Sequence, residues 1–192
     1  MTPALHPLLG RQSVGPKHLV EPGPDAAQLQ AMAEVALRAP DHGALVPFRF
    51  VAVAGAARDG LARLFEQVAR DGGKDAAGIA LEAERARRAP VTLAVIARID
   101  AGHPQVPAHE QWACVGGALA NLLNAAHALG FGGKMLSGAK VRHSALQQAF
   151  CRGGEQLVGW VALGTPDASP KRGPEKPRAA DVLSFWSAGG DA

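Results

Sequence analysis

The chain is expected to fold as a mixed α+β or α/β domain, and three observations carry that reading. Three valine-rich apolar runs, Phe48 to Ala54, Val91 to Ile96 and Leu157 to Leu163, have the length and residue types of strands. The segments between them repeat apolar residues at steps of three and four, the mark of one-faced helices. Helices and strands alternate irregularly, with helices in the majority. At 192 residues, 47% hydrophobic and 19% charged, the chain can bury a core as a single domain over 1–192, with 167–192 as an extended C-terminal arm.

Taken in order, Ala4 to Leu9 suits one or two helical turns ended by Gly10, and Glu21-Pro22-Gly23-Pro24 is a turn. Asp25 opens a helix, where its charge meets the positive helix end. Leu29, Met32, Ala33, Ala36 and Leu37 form its apolar face, and Pro40 stops it. Phe48 to Ala54 reads as a buried strand. Helical patterns cover Arg58 to Arg70 and Ile79 to Arg88, broken at Gly72-Gly73. The longest helix runs from about His109 to Leu129, with Trp112, Val115, Leu119, Leu122, Ala126 and Leu129 on one face. Gly116, Gly117, Ala118, Ala120, Ala125 and Ala128 give it a second, small face. That face suits a partner helix in a dimer or close packing within the same domain. Gly130 follows this helix as its expected C-terminal glycine. Lys134 to Ser137 is a short strand or extended loop, and Ser144 to Phe150 a helix capped by His143 or Ser144. Gly164-Thr165-Pro166 is expected to end the last strand. In the tail, Val182, Leu183, Phe185 and Trp186 are too apolar to leave in water and are expected to dock.

Composition narrows the function classes. No apolar run approaches the ~20 residues that span a bilayer, and Met1 to Pro7 lacks the features of a signal peptide. Cys114 and Cys151 form no C-x-x-C, so a reduced, cytoplasmic protein without membrane association is expected. The net charge of +3 permits a phosphate-bearing ligand. It does not argue for nucleic acid: basic residues are scattered, aromatics are 5% and tyrosine is absent, so no stacking platform forms. His103 and His109 have a poor spacing for a metal, and P-loop, G-x-G-x-x-G and G-x-S-x-G patterns are missing.

Four polar clusters at turns remain: Arg11-Gln12-Ser13, Arg38 with Asp41-His42, Gly132-Gly133-Lys134 with Ser137, and the tail cations Lys171, Arg172, Lys176 and Arg178. Guanidinium forks, a hydroxyl and glycine-exposed backbone N–H groups are what a phosphate and a polar ring require.

These clusters, in this order, resemble the nitroreductase family of FMN-dependent oxidoreductases, in its small single-domain branch. Arg11-Gln12-Ser13 is similar to the family's R-R-S or R-x-S motif. Arg38-Ala39-Pro40-Asp41-His42 with Pro47-Phe48-Arg49-Phe50 is similar to R-A-P-D-H followed by P-W-x-F. Gly130-Phe131-Gly132-Gly133 with Ser137-Gly138, and Leu163-Gly164-Thr165-Pro166, resemble its glycine loop and L-G-x-P turn. The resemblance implies an α+β homodimer with a central, mostly antiparallel sheet flanked by helices, a tail reaching onto the partner subunit, and bound FMN. It places Arg11, Gln12, Ser13, Arg38, His42, Met135, Leu136 and Ser137 on FMN, and Ala125, Ala126, His127, Ala128, Leu129 and Gly130 along NAD(P)H. It implies turnover with a nitroaromatic, quinone or similar acceptor and no dedicated catalytic residue; a flavin-binding carrier or sensor without turnover is the second reading. The chain departs from the branch at Gln12, where a second arginine is usual, and at Lys134-Met135-Leu136, where a more aromatic and basic segment is usual. The tail cations are the natural compensation for the first departure.

Overall fold

The structure, a computed structural model, describes residues 3–167 and 175–186. Its centre is a five-stranded sheet in which every strand pairing is antiparallel. The strands are β1 (Leu19–Val20), β2 (Phe48–Ala54), β3 (Val91–Ala97), β4 (Gly132–Leu136) and β5 (Gln156–Pro166). β5 is the hub: β3 and β4 both pair with residues 160–163 and so occupy its opposite edges, while β1 pairs with Thr165 and Pro166. The helices are α1 (His6–Gly10), α2 (Ala26–Ala36), α3 (Ala57–Asp71), α4 (Ala76–Arg87), α5 (Ala108–Ala128) and α6 (Ser144–Phe150).

The two-residue period of the strands divides the core. Val91, Leu93, Val95, Val161 and Leu163 face α2 and α5, where Met32, Ala36, Val115, Leu122 and Ala126 close over them. Ala94, Ile96 and Trp160 face the other way, onto Leu61 and Phe65 of α3, Ala83 and Ala86 of α4 and Leu146 of α6. Every residue of β3 is therefore buried. β2 is not the buried strand that its composition suggests. It pairs only with β3, and Ala52 and Ala54 are exposed, as an edge strand allows.

Helix boundaries follow local chemistry. Asp25 caps α2 in a capping box: its carboxylate accepts from the Gln28 N–H at 2.8 Å, and Gln28 Oε1 accepts from the Asp25 N–H at 2.9 Å. His143 caps α6, its Nδ1 accepting from the Ala145 N–H. Gly130, at φ +87°, ends α5 in the left-handed region.

Two further expectations need correction. Gly164-Thr165-Pro166 is not a turn after the last strand: Gly164 pairs with Gly132 of β4, and Thr165 and Pro166 pair with β1, which draws all three into β5. The apolar tail cluster does not dock onto its own domain. Phe185 and Trp186 are each 89% exposed, and Val182 and Leu183 also stay open, because helices already cover both faces of the sheet. No helix among the described residues is long and apolar enough to cross a membrane.

Candidate functional site

The first half of the site forms where the chain leaves α1. Arg11 turns into extended backbone, φ −65° and ψ 124°. Ser13 then forms a parallel bridge with Gly133, and the Val14 N–H donates to the Gly133 carbonyl at 3.1 Å. Ser13 thereby joins the start of β4, with Arg11 and Gln12 leading up to it, and the same strand carries Met135 and Leu136 and leads into Ser137. Ser137 donates its hydroxyl proton to the Val158 carbonyl at 2.9 Å, tying the end of β4 to β5.

This registry depends on Gly159 of β5. A Cβ there would stand 2.5 Å from both the Leu136 carbonyl oxygen and the Met135 Cε. Because the obstacle includes backbone, β4 itself would have to move. Gly159→Ala is expected to destabilise the fold by about 1–3 kcal/mol through overpacking and to displace Leu136 and Ser137. Denaturant unfolding checks the first effect, and a native-like midpoint would show that β4 yields freely.

Alternation sends neighbouring residues of β4 to opposite sides. Met135 packs with the α2–α5 core. Leu136 and Ser137 line a cavity of about 280 Å3 between the sheet and α3–α4. Gln12 lines a second cavity, of about 170 Å3, with Gly10, His127 and Gly130. Of the residues expected along NAD(P)H, Ala126 is buried in the core. His127 and Ala125 are partly covered, and Ala128, Leu129 and Gly130 are exposed at the end of α5.

The second half is the loop between α2 and β2. Asp41 shapes it, its carboxylate accepting from the Leu45 N–H at 3.2 Å and the Val46 N–H at 2.8 Å. Ala44 (φ +51°) and Val46 (φ +45°) are held in the left-handed region, strained for an alanine and more so for a β-branched valine. Such strain persists only where the surroundings impose it, commonly at ligand sites. His42 Nδ1 lies 2.7 Å from Glu110 Oε2. Arg38 is exposed and Arg11 half-buried, and neither has an acidic partner among the described residues.

One chain does not bring the two halves together. His42 is held by Glu110 near the start of α5, whereas Gln12 shares its cavity with His127 near the end. Seventeen residues of helix separate Glu110 from His127, about 25 Å at 1.5 Å per residue.

A third group was not anticipated from sequence. Glu82, 5% exposed, accepts 2.6 Å bonds from Lys74, Arg85 and Lys140. Burial alone would raise its pKa, but the three cations outweigh that and hold the carboxylate down to about 2. Lys140 also lies 4.0 Å above the Phe65 ring, and Arg85, Lys140, Phe65 and Trp160 all line the larger cavity. Only the Glu82–Arg85 spacing of three was visible in the sequence. Of the tail cations, Arg178 pairs with Asp181 at 3.0 Å, Lys176 is exposed, and Lys171 and Arg172 lie outside the described residues.

Among the described residues no group of three or more His, Cys, Asp or Glu could hold a metal ion. Cys114 is buried on α5, and burial raises its thiol pKa, which makes it a poor nucleophile. What the chain offers is guanidinium groups, backbone donors and apolar walls, a set suited to holding a large polar ligand.

Comparison with known proteins gives the chain's family and fold. Residues 8–165 match the nitroreductase family. The chain is 36% identical, over 95% of its length and 99% of the relative's, to a protein of Escherichia coli K12 provisionally named NAD(P)H nitroreductase YdjA. It is 37% identical, over 78% of its length and 82% of the relative's, to a Haemophilus influenzae protein provisionally named NAD(P)H nitroreductase. A nitroreductase-like family protein from Bacillus cereus has the same fold, with a TM-score of 0.83 at 18% identity, covering 98% of each chain. The FMN-dependent nitroreductase NfnB from Mycobacterium smegmatis, solved with NADPH, superposes with a TM-score of 0.73 at 16% identity, covering 96% of this chain and 98% of its own. The chain belongs to the nitroreductase family, and it is an oxidoreductase.

Proposed function

We propose that the protein is an FMN-dependent NAD(P)H oxidoreductase that passes reducing equivalents to a nitroaromatic, a quinone or a similar acceptor. The observation that carries this reading is the bridge by which Ser13, directly after Arg11 and Gln12, joins Gly133 at the start of β4. It ties the segment that carries an arginine without an acidic partner to the strand whose far end is Met135-Leu136, a phosphate donor and a ring support spread along one strand. Bound FMN supplies the hydride chemistry. The chain's own residues bind, orient and exclude water. Arg11 takes the phosphate, with Gln12 and Ser13 beside it, while Leu136 and Ser137 back the ring and Met135, whose side chain turns into the α2–α5 core, contributes through its backbone. Ala125 to Gly130 border the path of the nicotinamide nucleotide. NAD(P)H and the acceptor use the same space in turn, which gives ping-pong kinetics, and no residue of the chain is assigned as catalytic.

Arg38 and His42 complete the site from a second copy of the chain, because within one chain His42 stands at the other end of α5 and Arg38 precedes Ala39, which lies against Gly117 in the middle of that helix. A two-fold dimer would also cover Leu8 and Leu9 of α1, Leu129 and Trp112 of α5, and the tail cluster, all exposed in the single chain. The tail then reaches across the partner, and the protein works in the cytoplasm.

The test is the visible spectrum of the freshly purified protein before and after anaerobic NADPH, then NADH. Oxidised-flavin bands that bleach, and return when an acceptor is added, are expected. A colourless protein that cannot be reconstituted with FMN would remove the reading. Flavin that neither nucleotide reduces would replace it with a carrier or sensor.

A further inference from the structure

Glu82 is the one fully buried carboxylate among the described residues, and it stands behind the wall of the 280 Å3 cavity rather than in it. Two of the cations it holds at 2.6 Å, Arg85 and Lys140, line that wall; the third, Lys74, does not. Lys140 is held a second time, by the Phe65 ring 4.0 Å below it. Arg88, the remaining cation of the wall, is paired instead with the exposed Glu84 at 2.9 Å. The wall itself contains no carboxylate, and most of it is apolar. Charge is felt more strongly against such walls than in water. Apolar side chains of similar volume often hold a core as well as a buried ion cluster does. A charge kept there therefore points to a use for the charge itself.

The use depends on the function proposed above, under which Leu136 and Ser137 of this wall back the flavin ring. Hydride transfer from NAD(P)H adds two electrons and one proton to a neutral ring, and so leaves one negative charge on it. Cations at the wall favour that reduced form, and a fixed carboxylate behind them opposes it. We propose that Glu82 is a positioning residue that sets the reduction potential of the flavin through Lys140 and Arg85. Its carboxylate holds both cations at the wall and offsets part of their charge. The potential is then lower than unbalanced cations would make it, and the reduced flavin is a stronger donor to the acceptor.

Spectroelectrochemical titration of the FMN-loaded protein tests this. Glu82→Gln removes the charge and keeps the size. It should favour the reduced form about tenfold, a rise in midpoint potential of about 30 mV for a two-electron couple. Lys140→Met should shift the midpoint the other way. Glu82 keeps Lys74 and Arg85 in that variant, so it gives a reading even where Glu82→Gln folds poorly. Arg63→Met removes an exposed cation outside the wall, which salt already screens, and should leave the potential unchanged. A residue that only braced the fold would lower Tm in Glu82→Gln and leave the potential of the bound flavin where it was. That result, or shifts of the same sign in Glu82→Gln and Lys140→Met, would overturn the proposal. A protein that cannot be loaded with FMN removes the function and this role with it, whereas an active flavoprotein whose potential ignores Glu82 removes this role alone.

Discussion

Arg11→Ala is expected to lower the flavin content of the purified protein at least tenfold, while His103→Ala retains nearly all of it. Arg11 stands half-buried at the end of α1 with no acidic partner among the described residues, so its guanidinium has donors to give to a phosphate. A charge-assisted bond of that kind contributes about 1.5–3 kcal/mol, or roughly ten- to a hundredfold in affinity. His103 works differently: its Nδ1 accepts from the Gln105 N–H at 3.3 Å and the Val106 N–H at 2.9 Å, bracing the loop before α5. Its loss should loosen that loop and leave the phosphate untouched. Visible absorbance per mole of protein reads the outcome, and equal flavin in the two variants would discard Arg11 as the phosphate ligand.

Glu82→Ala should bring the largest loss of stability. The substitution leaves Lys74, Arg85 and Lys140 converging on an empty acceptor position. Breaking a buried ion pair typically costs about 3–5 kcal/mol. Here the three cations are between 33% and 47% exposed and can turn to water, so about 2–3 kcal/mol is expected, a fall in Tm of roughly 5–10 °C. The sign of the pH dependence follows from the lowered pKa. Glu82 shifts from an ordinary 4.5 to about 2, so its contribution is complete above pH 4.5 and disappears as pH falls toward 2. Glu155, held by Arg49 and by the Arg152 N–H, is also lowered to about 2 and adds to the same acid window. Thermal melts between pH 5 and pH 2 should therefore fall less steeply for Glu82→Ala than for the unaltered protein. Parallel curves would mean that the cluster contributes nothing net.

The parts of this fold legible in the sequence are those set by neighbours in the chain. α2 announced itself through Asp25, its apolar period and Pro40, and α5 through its stripe and Gly130. β1 was invisible because two residues, Leu19 and Val20, cannot display alternation. The true end of β5 was hidden for the same reason, since Gly164-Thr165-Pro166 has turn composition until β4 pairs with Gly164 and β1 with Thr165 and Pro166. The tail's apolar cluster was readable as needing a cover, but composition does not say whose. At the site, Arg11-Gln12-Ser13 and the Arg38–His42 loop could be found because each is one contiguous motif. The Glu82 cluster could not. It draws on Lys74 before α4, on α4 itself, and on Lys140 from a turn that follows β4, contacts that only the folded chain creates.

The length of α5 has a consequence for how such a protein would behave when dilute. With Arg11 serving one end of the helix and His42 the other, each subunit under the proposed two-fold arrangement holds two half-sites and no whole one. Cofactor occupancy and subunit association then form a single linked equilibrium, each raising the other by mass action. Dilution would release flavin and separate subunits together, and excess flavin would hold the pair intact at concentrations where the bare chains part.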